Sequence, residues 1–273
     1  MMEDPTEFPE EDETDAKLWS IFRKKMSNVI SAPKKKTCET KQWLSQYNMD
    51  FPRMGLCLLI DVNQNDDKTC LSQPQMREDL QTAKNTFESL GFKVKIEPIK
   101  TLNKVLSLLK DVAKEDHSEN SCFVCIILIH ETDLIFDKYD SRQFTEGFTG
   151  DKCRTLVGKP KIFFILGTKG EDMYSFLETD SNSNSKITKI PAQGDFLYVS
   201  FISSGKKLDP KHWYLKNLCT MLLEYGHTTS LVTIITHVNG LTAQQYEAFG
   251  LDDPAFLTTM LTKAIVFPRK IDT

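Results

Sequence analysis

The stretch GKPKIFFILGTKGED, Gly158 to Asp172, carries an alcohol at a position where folded proteins often do chemistry. Its apolar run, Ile162 to Ile165, predicts a buried strand that leads straight to Thr168, between Gly167 and Lys169. Sheets of parallel strands bind and react beyond the carboxyl ends of those strands. Thr168 is therefore the first candidate nucleophile. An aliphatic alcohol is a far weaker acid than a thiol, whose pKa is about 8.5, and it needs a well-aligned base. Protease threonines are usually activated by their own free α-amino group, and an internal Thr168 has none. The expected reading of Thr168 is an inert side chain at a reactive address.

Other chemistry-bearing patterns are weaker. Cys122 and Cys125 have the CxxC spacing of zinc and redox sites, but on a strand they point to opposite faces, and no second pair exists. His117, His212, His227 and His237 lack clustered acidic or cysteine partners and read as surface or capping residues. The GTKGED segment lacks the spacing of a phosphate-binding loop and the helix start that must follow it. No metal and no cofactor is expected.

An alternation of strands and helices must position Thr168. Leu56 to Asp61 reads as a buried strand, and Met76, Leu80, Ala83, Phe87 and Leu90 recur at helical spacing before Gly91 turns the chain into FKVKIE. A second helix follows on Leu102, Val105, Leu106, Leu109 and Val112. Cys122 to Ile129 is an unbroken apolar run, short and rich in β-branched residues, as a central strand requires. The runs IFFIL and Asp195 to Ile202 predict two more strands. Two helices then show faces at Trp213, Leu218, Leu222, Leu223 and at Leu231, Ile234, Ile235, Val238. TMLTKAIVF, Thr259 to Phe267, predicts the last strand. Strands separated by helices of this length need crossovers, hence a mainly parallel sheet covered on both faces. The fold class is α/β, a three-layer sandwich.

Composition agrees with a packed domain. The chain has 273 residues, 40% of them hydrophobic, enough for a sizeable core. No run approaches the roughly 18 apolar residues that span a bilayer, and the acidic beginning lacks the parts of a signal peptide. Seven cysteines, an odd number with several in apolar runs, read as reduced thiols in a cytoplasmic setting. The first fifteen residues hold eight acidic and no basic side chains, so the rest of the chain carries +4 against a total of −4. They predict a solvated tail. Arg23 to Lys25 and Lys34 to Lys36 are basic, with almost no interleaved aromatic residues, so no nucleic-acid partner is expected. Between Lys169 and Ile190 the pattern lapses into polar residues, which predicts an exposed loop dividing the chain in two.

YNMDFPRMG, FESLGFKVKI, KEDHSENSCFVCIIL, GDKCRTLVGKPKIFFI, KIPAQGDFLY and MLTKAIVF resemble caspase segments in order and spacing, most of all those of executioner caspases. The resemblance runs from about Tyr47 to Phe267 and implies a caspase-like sandwich on a six-stranded sheet. It also implies residues 1–46 as an N-terminal peptide, 47–180 as a large-subunit-like part and 181–273 as a small-subunit-like part. The implied activity is a cysteine protease that cuts after aspartate. Where the family has SHG this chain reads IHE, and where the family has QACRG it reads LGTKG. The resemblance thus places His130 at the base position and Thr168 at the nucleophile position. Glu131 replaces the glycine whose N–H completes the oxyanion hole. The aspartate pocket, which needs charge-assisted donors, is reduced as well. Its first arginine becomes Gln73, with Arg77 one turn away, and its glutamine becomes Leu166. Its second arginine falls in a shortened segment holding Lys206, Lys207 and Lys211.

Two sequences in this chain resemble caspase cleavage sites. DETD ends at Asp15 before Ala16, and LETD ends at Asp180 before Ser181, both where the family is processed. The expected function is binding: an inactive caspase-like protein that pairs with an active caspase paralogue, or with itself, and modulates apoptosis. A hydrolase using Thr168 with His130 and a caspase-cleaved decoy are the alternatives. The family pairs through its last strand, which places the dimer interface at Met260, Ile265, Val266 and Phe267.

Overall fold

A computed structural model describes residues 45–63, 74–132, 142–169, 194–203, 210–248 and 255–269. Asp15, Gln73, Asp180, Lys206 and Lys207, and the expected loop beyond Lys169, lie outside the described residues. The elements follow in the order β1 (Arg53–Asn63), α1 (Pro74–Ser89), β2 (Lys93–Ile99), α2 (Leu102–Val112), β3 (Asn120–Thr132), α3 (Arg142–Thr145), β4 (Lys161–Lys169), β5 (Phe196–Ser203), α4 (Pro210–Tyr225), α5 (Leu231–Ala248) and β6 (Ala255–Thr259). The strands form one six-stranded sheet in the order β2-β1-β3-β4-β5-β6. Its first five members are parallel, and β6 runs antiparallel to β5.

Strand parity sorts the core into two layers. Leu58, Ile60, Phe123, Cys125, Ile127, Phe163 and Ile165 pack with Leu102, Val105, Leu109 and Val112 of α2 and with Phe144, Phe148 and Leu156 from the turns after β3. Phe123 stacks on Phe148 at 4.6 Å between ring centres. On the opposite parity, Phe201 of β5 stacks on Tyr214 of α4 at 5.0 Å and meets Tyr246 of α5 at 5.6 Å. Both faces are covered, so the strands read as continuous apolar runs. The expected three-layer α/β sandwich is the architecture observed.

Two local features seat the central strands. Gly55 has φ +134°, and a Cβ there would lie 1.9 Å from the Cys122 carbonyl oxygen, so β1 approaches β3 as closely as it does only because residue 55 is glycine. The Lys161 ammonium, buried at the start of β4, donates to the carbonyls of Leu156 and Lys159 at 3.1 and 2.9 Å. Burial lowers the pKa of that ammonium. Lys159 in turn donates to the carbonyls of His117 and Ser118 at 2.8 and 2.6 Å.

The end of the chain corrects one expectation. The last strand is Ala255–Thr259, not Thr259 to Phe267. Beyond it, Ala264 bridges to Gln46, Leu231 donates its N–H to the Ile265 carbonyl at 2.8 Å, and Phe267 donates to the Gly226 carbonyl at 3.0 Å. Ile265 and Phe267 are each 1% exposed. They are apolar because they fill the chain's own corner between α4 and α5, with Phe267 edge-on to Phe92 at 5.7 Å. Met260 and Val266 are half-buried, and Met260 packs against the α2-side core. Ile265 and Phe267 are therefore core residues of the chain itself and lie outside the edge strand. The edge strand exposes Phe256 instead, at 51%.

Candidate functional site

The carboxyl ends of β3 and β4 bring the candidate residues together. The two strands pair in regular register through Leu128 with Leu166 and Ile129 with Gly167, then slip and resume at Thr132 with Lys169. Across that break β3 has two residues, His130 and Glu131, against a single residue, Thr168, on β4. This two-against-one count is a β-bulge, a device that re-aims side chains beside active sites. Asn63 of β1 pairs with His130 on one side, and Ser203 of β5 pairs with Thr168 on the other. Four parallel strands thus end at one level, and the backbone register brings residues 130 and 131 of β3 beside residue 168 of β4.

One of the expected pocket positions is apolar. Leu166 is 0% exposed, paired between Leu128 and Phe201, and offers a ligand no polar group. Arg77 lies exposed on α1, and Lys211 lies in the first turn of α4. Asp61, 2% exposed near the end of β1, is a buried carboxylate that the sequence reading passed over.

Four of the described thiols are the wrong chemistry for a substitute nucleophile. Burial raises the pKa of Cys57, Cys122 and Cys125, and that of Cys219 is pushed up to about 12. A thiol kept protonated is a poor nucleophile and a poor metal ligand. Cys125 lies in the α2-side core, whereas the Cys122 thiol reaches the Met54 carbonyl at 3.5 Å, so the CxxC pair is divided as its spacing predicts. No group of three or more potential metal-ligating side chains occurs among the described residues.

Two histidines depart from the expected surface role. His117 is buried, with its ring between the Val112 carbonyl at 2.9 Å and the Asn120 amide at 3.1 Å, and it closes the turn before β3. His212 does have an acidic partner: its Nδ1 meets Asp79 Oδ1 of α1. The signal was present in the sequence. Asp79 falls three residues after Met76 and four before Ala83, and His212 three before Leu215, so each is a polar residue on an apolar stripe. His227 contacts the Phe267 carbonyl at 3.1 Å.

A doubly covered sheet with its candidate residues at a bulge on the central strand ends defines a caspase-like α/β domain. The caspase-domain family model (Peptidase_C14) matches residues 54–266. Caspase-3 of Mesocricetus auratus is 36% identical over 242 residues, which are 82% of this chain and 87% of that protein. Caspase-3 of Mus musculus is 34% identical over the same shares. A solved structure described as pro-sf-caspase-1 superposes with a TM-score of 0.64 at 25% identity, covering 87% of this chain and 99% of that one. The chain belongs to the caspase family.

Proposed function

We propose that this protein is a catalytically inactive caspase homologue that acts by binding an active caspase, or a second copy of itself, and so modulates apoptosis. The single observation that carries the reading is the alcohol of Thr168 at the end of β4, opposite the His130 and Glu131 bulge, where the family resemblance calls for a thiol. Without an α-amino group of its own, that alcohol depends on His130 alone for activation. Glu131 keeps the backbone N–H of the glycine it replaces but introduces an acidic residue at the position where the resemblance implies an oxyanion hole, and an anion there would disfavour developing negative charge. Leu166, fully buried, adds nothing to a pocket for aspartate.

Binding is supported by the contrast between the two sheet edges. The β2 edge carries Lys93, the Lys95–Glu97 ion pair at 3.0 Å and Pro98, all of which discourage strand addition. The β6 edge is uncharged, AFLTT, and exposes Phe256. A caspase partner would extend the sheet there. Active caspases would process the chain after Asp15 and Asp180, where DETD and LETD are each followed by a small residue, Ala16 and Ser181. No helix among the described residues is long and apolar enough to cross a membrane, which fits the proposed cytoplasmic setting.

Purified protein, cut and uncut, is expected neither to hydrolyse aspartyl reporters nor to be labelled by aspartyl ketones, and Thr168→Cys is expected to restore little. The bulge, which seats His130 opposite Thr168, favours one rival reading, a hydrolase with an altered nucleophile. Turnover that disappears in His130→Ala would establish that rival. For the binding reading, protein captured from apoptotic cells should bring down a caspase whose reporter activity changes with the amount bound. Capture without any caspase would leave the decoy reading in its place.

A further inference from the structure

Asp79 and His212 form an ion pair that neither the sheet nor the proposed function requires. Asp79 lies in the second turn of α1 and His212 in the first turn of α4, 133 positions apart in the chain. Their side chains are 10% and 20% exposed, so water screens the contact poorly. A carboxylate shut away from water at a helix interface is costly without a partner.

The groups around the pair oppose one another. Both residues lie near helix N-termini, whose positive dipole ends favour the Asp79 anion and disfavour an imidazolium. The Asp79 carboxylate, against Nδ1 of His212, favours an imidazolium there. The charged neighbours on α1, Arg77 and Glu78, are exposed, as is Lys216 on α4, while the Asp61 carboxylate is buried near the end of β1 on the parity opposite the α2-side core and adds a second acidic group on the face that α1 covers. Lys211 precedes His212 in the same turn. Cys219, which feels the Asp79 charge and is raised to about 12 by burial, stays neutral throughout the physiological range. The pair is therefore balanced between a dipole term that expels the proton and a carboxylate term that keeps it, on a side chain that ordinarily titrates at about pH 6.5.

We propose that Asp79 and His212 are a proton-operated latch that fixes the first turn of α4 on α1, so that the chain before the expected processing loop grips the chain after it more firmly at acid than at alkaline pH. Protonated, the bond is charge-assisted; deprotonated, it falls to an ordinary neutral hydrogen bond. The imidazolium has its carboxylate in the folded chain and lacks it in the unfolded one. Its stabilisation is thus complete below the ordinary imidazole pKa and is lost as pH rises through the folded-state value. The latch goes beyond the pseudoprotease reading and does not depend on it.

NMR of the full chain, following the His212 ring signals with pH, tests the latch directly. His212 is expected to titrate above an ordinary imidazole, and Asp79→Asn is expected to remove that difference. The second measurement compares thermal midpoints of the native chain and His212→Gln, which keeps a donor but never titrates. The native chain should gain on the variant at about pH 6 and lose that gain by about pH 8.5. Titration of His212 at or below the ordinary imidazole value overturns the proposal, and so does a midpoint difference that is equal at both pH values. Should Asp79→Asn fail to fold, the native titration and the glutamine comparison still decide.

Discussion

Replacing Phe267 with alanine tests whether the end of the chain is core or interface. The ring is 1% exposed and sits edge-on to Phe92, which is edge-on to Phe87 at 5.6 Å, so its loss opens a cavity walled by aromatic rings that cannot collapse far. Phenylalanine-to-alanine changes in such cores cost about 3–5 kcal/mol. That is a large share of the roughly 5–15 kcal/mol that holds a domain folded. At about 2–4 °C per kcal/mol, the thermal midpoint should fall by about 6–20 °C. The companion change, Phe256→Ala on the β6 edge, removes a ring that is half in water and should cost about 1 kcal/mol. Urea denaturation measures both losses, and sedimentation across micromolar concentrations measures self-association. Phe267→Ala should weaken the fold, while Phe256→Ala should weaken association. If Phe267→Ala costs less than about 1 kcal/mol yet abolishes association, residues 264–267 form a surface and the packing described here is wrong.

Three further perturbations follow from the backbone and the thiols. Gly55→Ala drives a Cβ to within 1.9 Å of the Cys122 carbonyl oxygen at a φ of +134° and should cost more than about 4 kcal/mol; a soluble variant melting near the native midpoint would contradict the β1–β3 approach. Gly240→Ala, in the middle of α5 with open space around the added methyl, should stabilise by about 0.5–1 kcal/mol, read as a rise in midpoint. Cys57, Cys122, Cys125 and Cys219, held protonated by burial, should resist alkylation at about pH 8 until urea unfolds the chain, and mass spectrometry that finds any of them modified in the native protein would show the strands to be looser than drawn.

The central strands were legible because burial on both faces leaves no polar positions to interrupt them. Cys122 to Ile129 lies wholly within β3, and Ile162 to Leu166 wholly within β4. The edge was not legible. AFLTT is five residues long with an alternation of half-buried and exposed positions, and its pairing is decided by β5 and not by its own pattern. The stronger apolar run after it is strong because it fills a helix corner, which periodicity cannot distinguish from a sheet edge. At the candidate site, the strand-end addresses of His130 and Thr168 could be read, but the bulge could not. A register slip is a relation between two strands distant in sequence. The Asp79–His212 pair lies between the two cases, since each partner marks itself as polar on an apolar stripe while the match between them exists only in three dimensions.

The bulge and the edge bear on function in opposite ways. A bulge costs ladder hydrogen bonds and is kept where something is gained from re-aiming the chain. Here it still seats His130 and Glu131 against Thr168, as a reactive centre would need, although the hydroxyl is the weakest member such a centre could have. Catalysis and binding, however, draw on different parts of this sheet. The strand ends supply chemistry and depend on single side chains, so on the proposed reading one exchange, thiol for alcohol, would disable them. The β6 edge supplies a row of backbone donors and acceptors that no single side-chain exchange removes. A chain that loses its reactive group keeps that edge intact, and with it the means to align with a partner whose own strand ends remain competent. On the proposed reading, binding is the function most resistant to point substitution, and the uncharged AFLTT edge, set against the lysines and Pro98 of β2, is where it would be exercised.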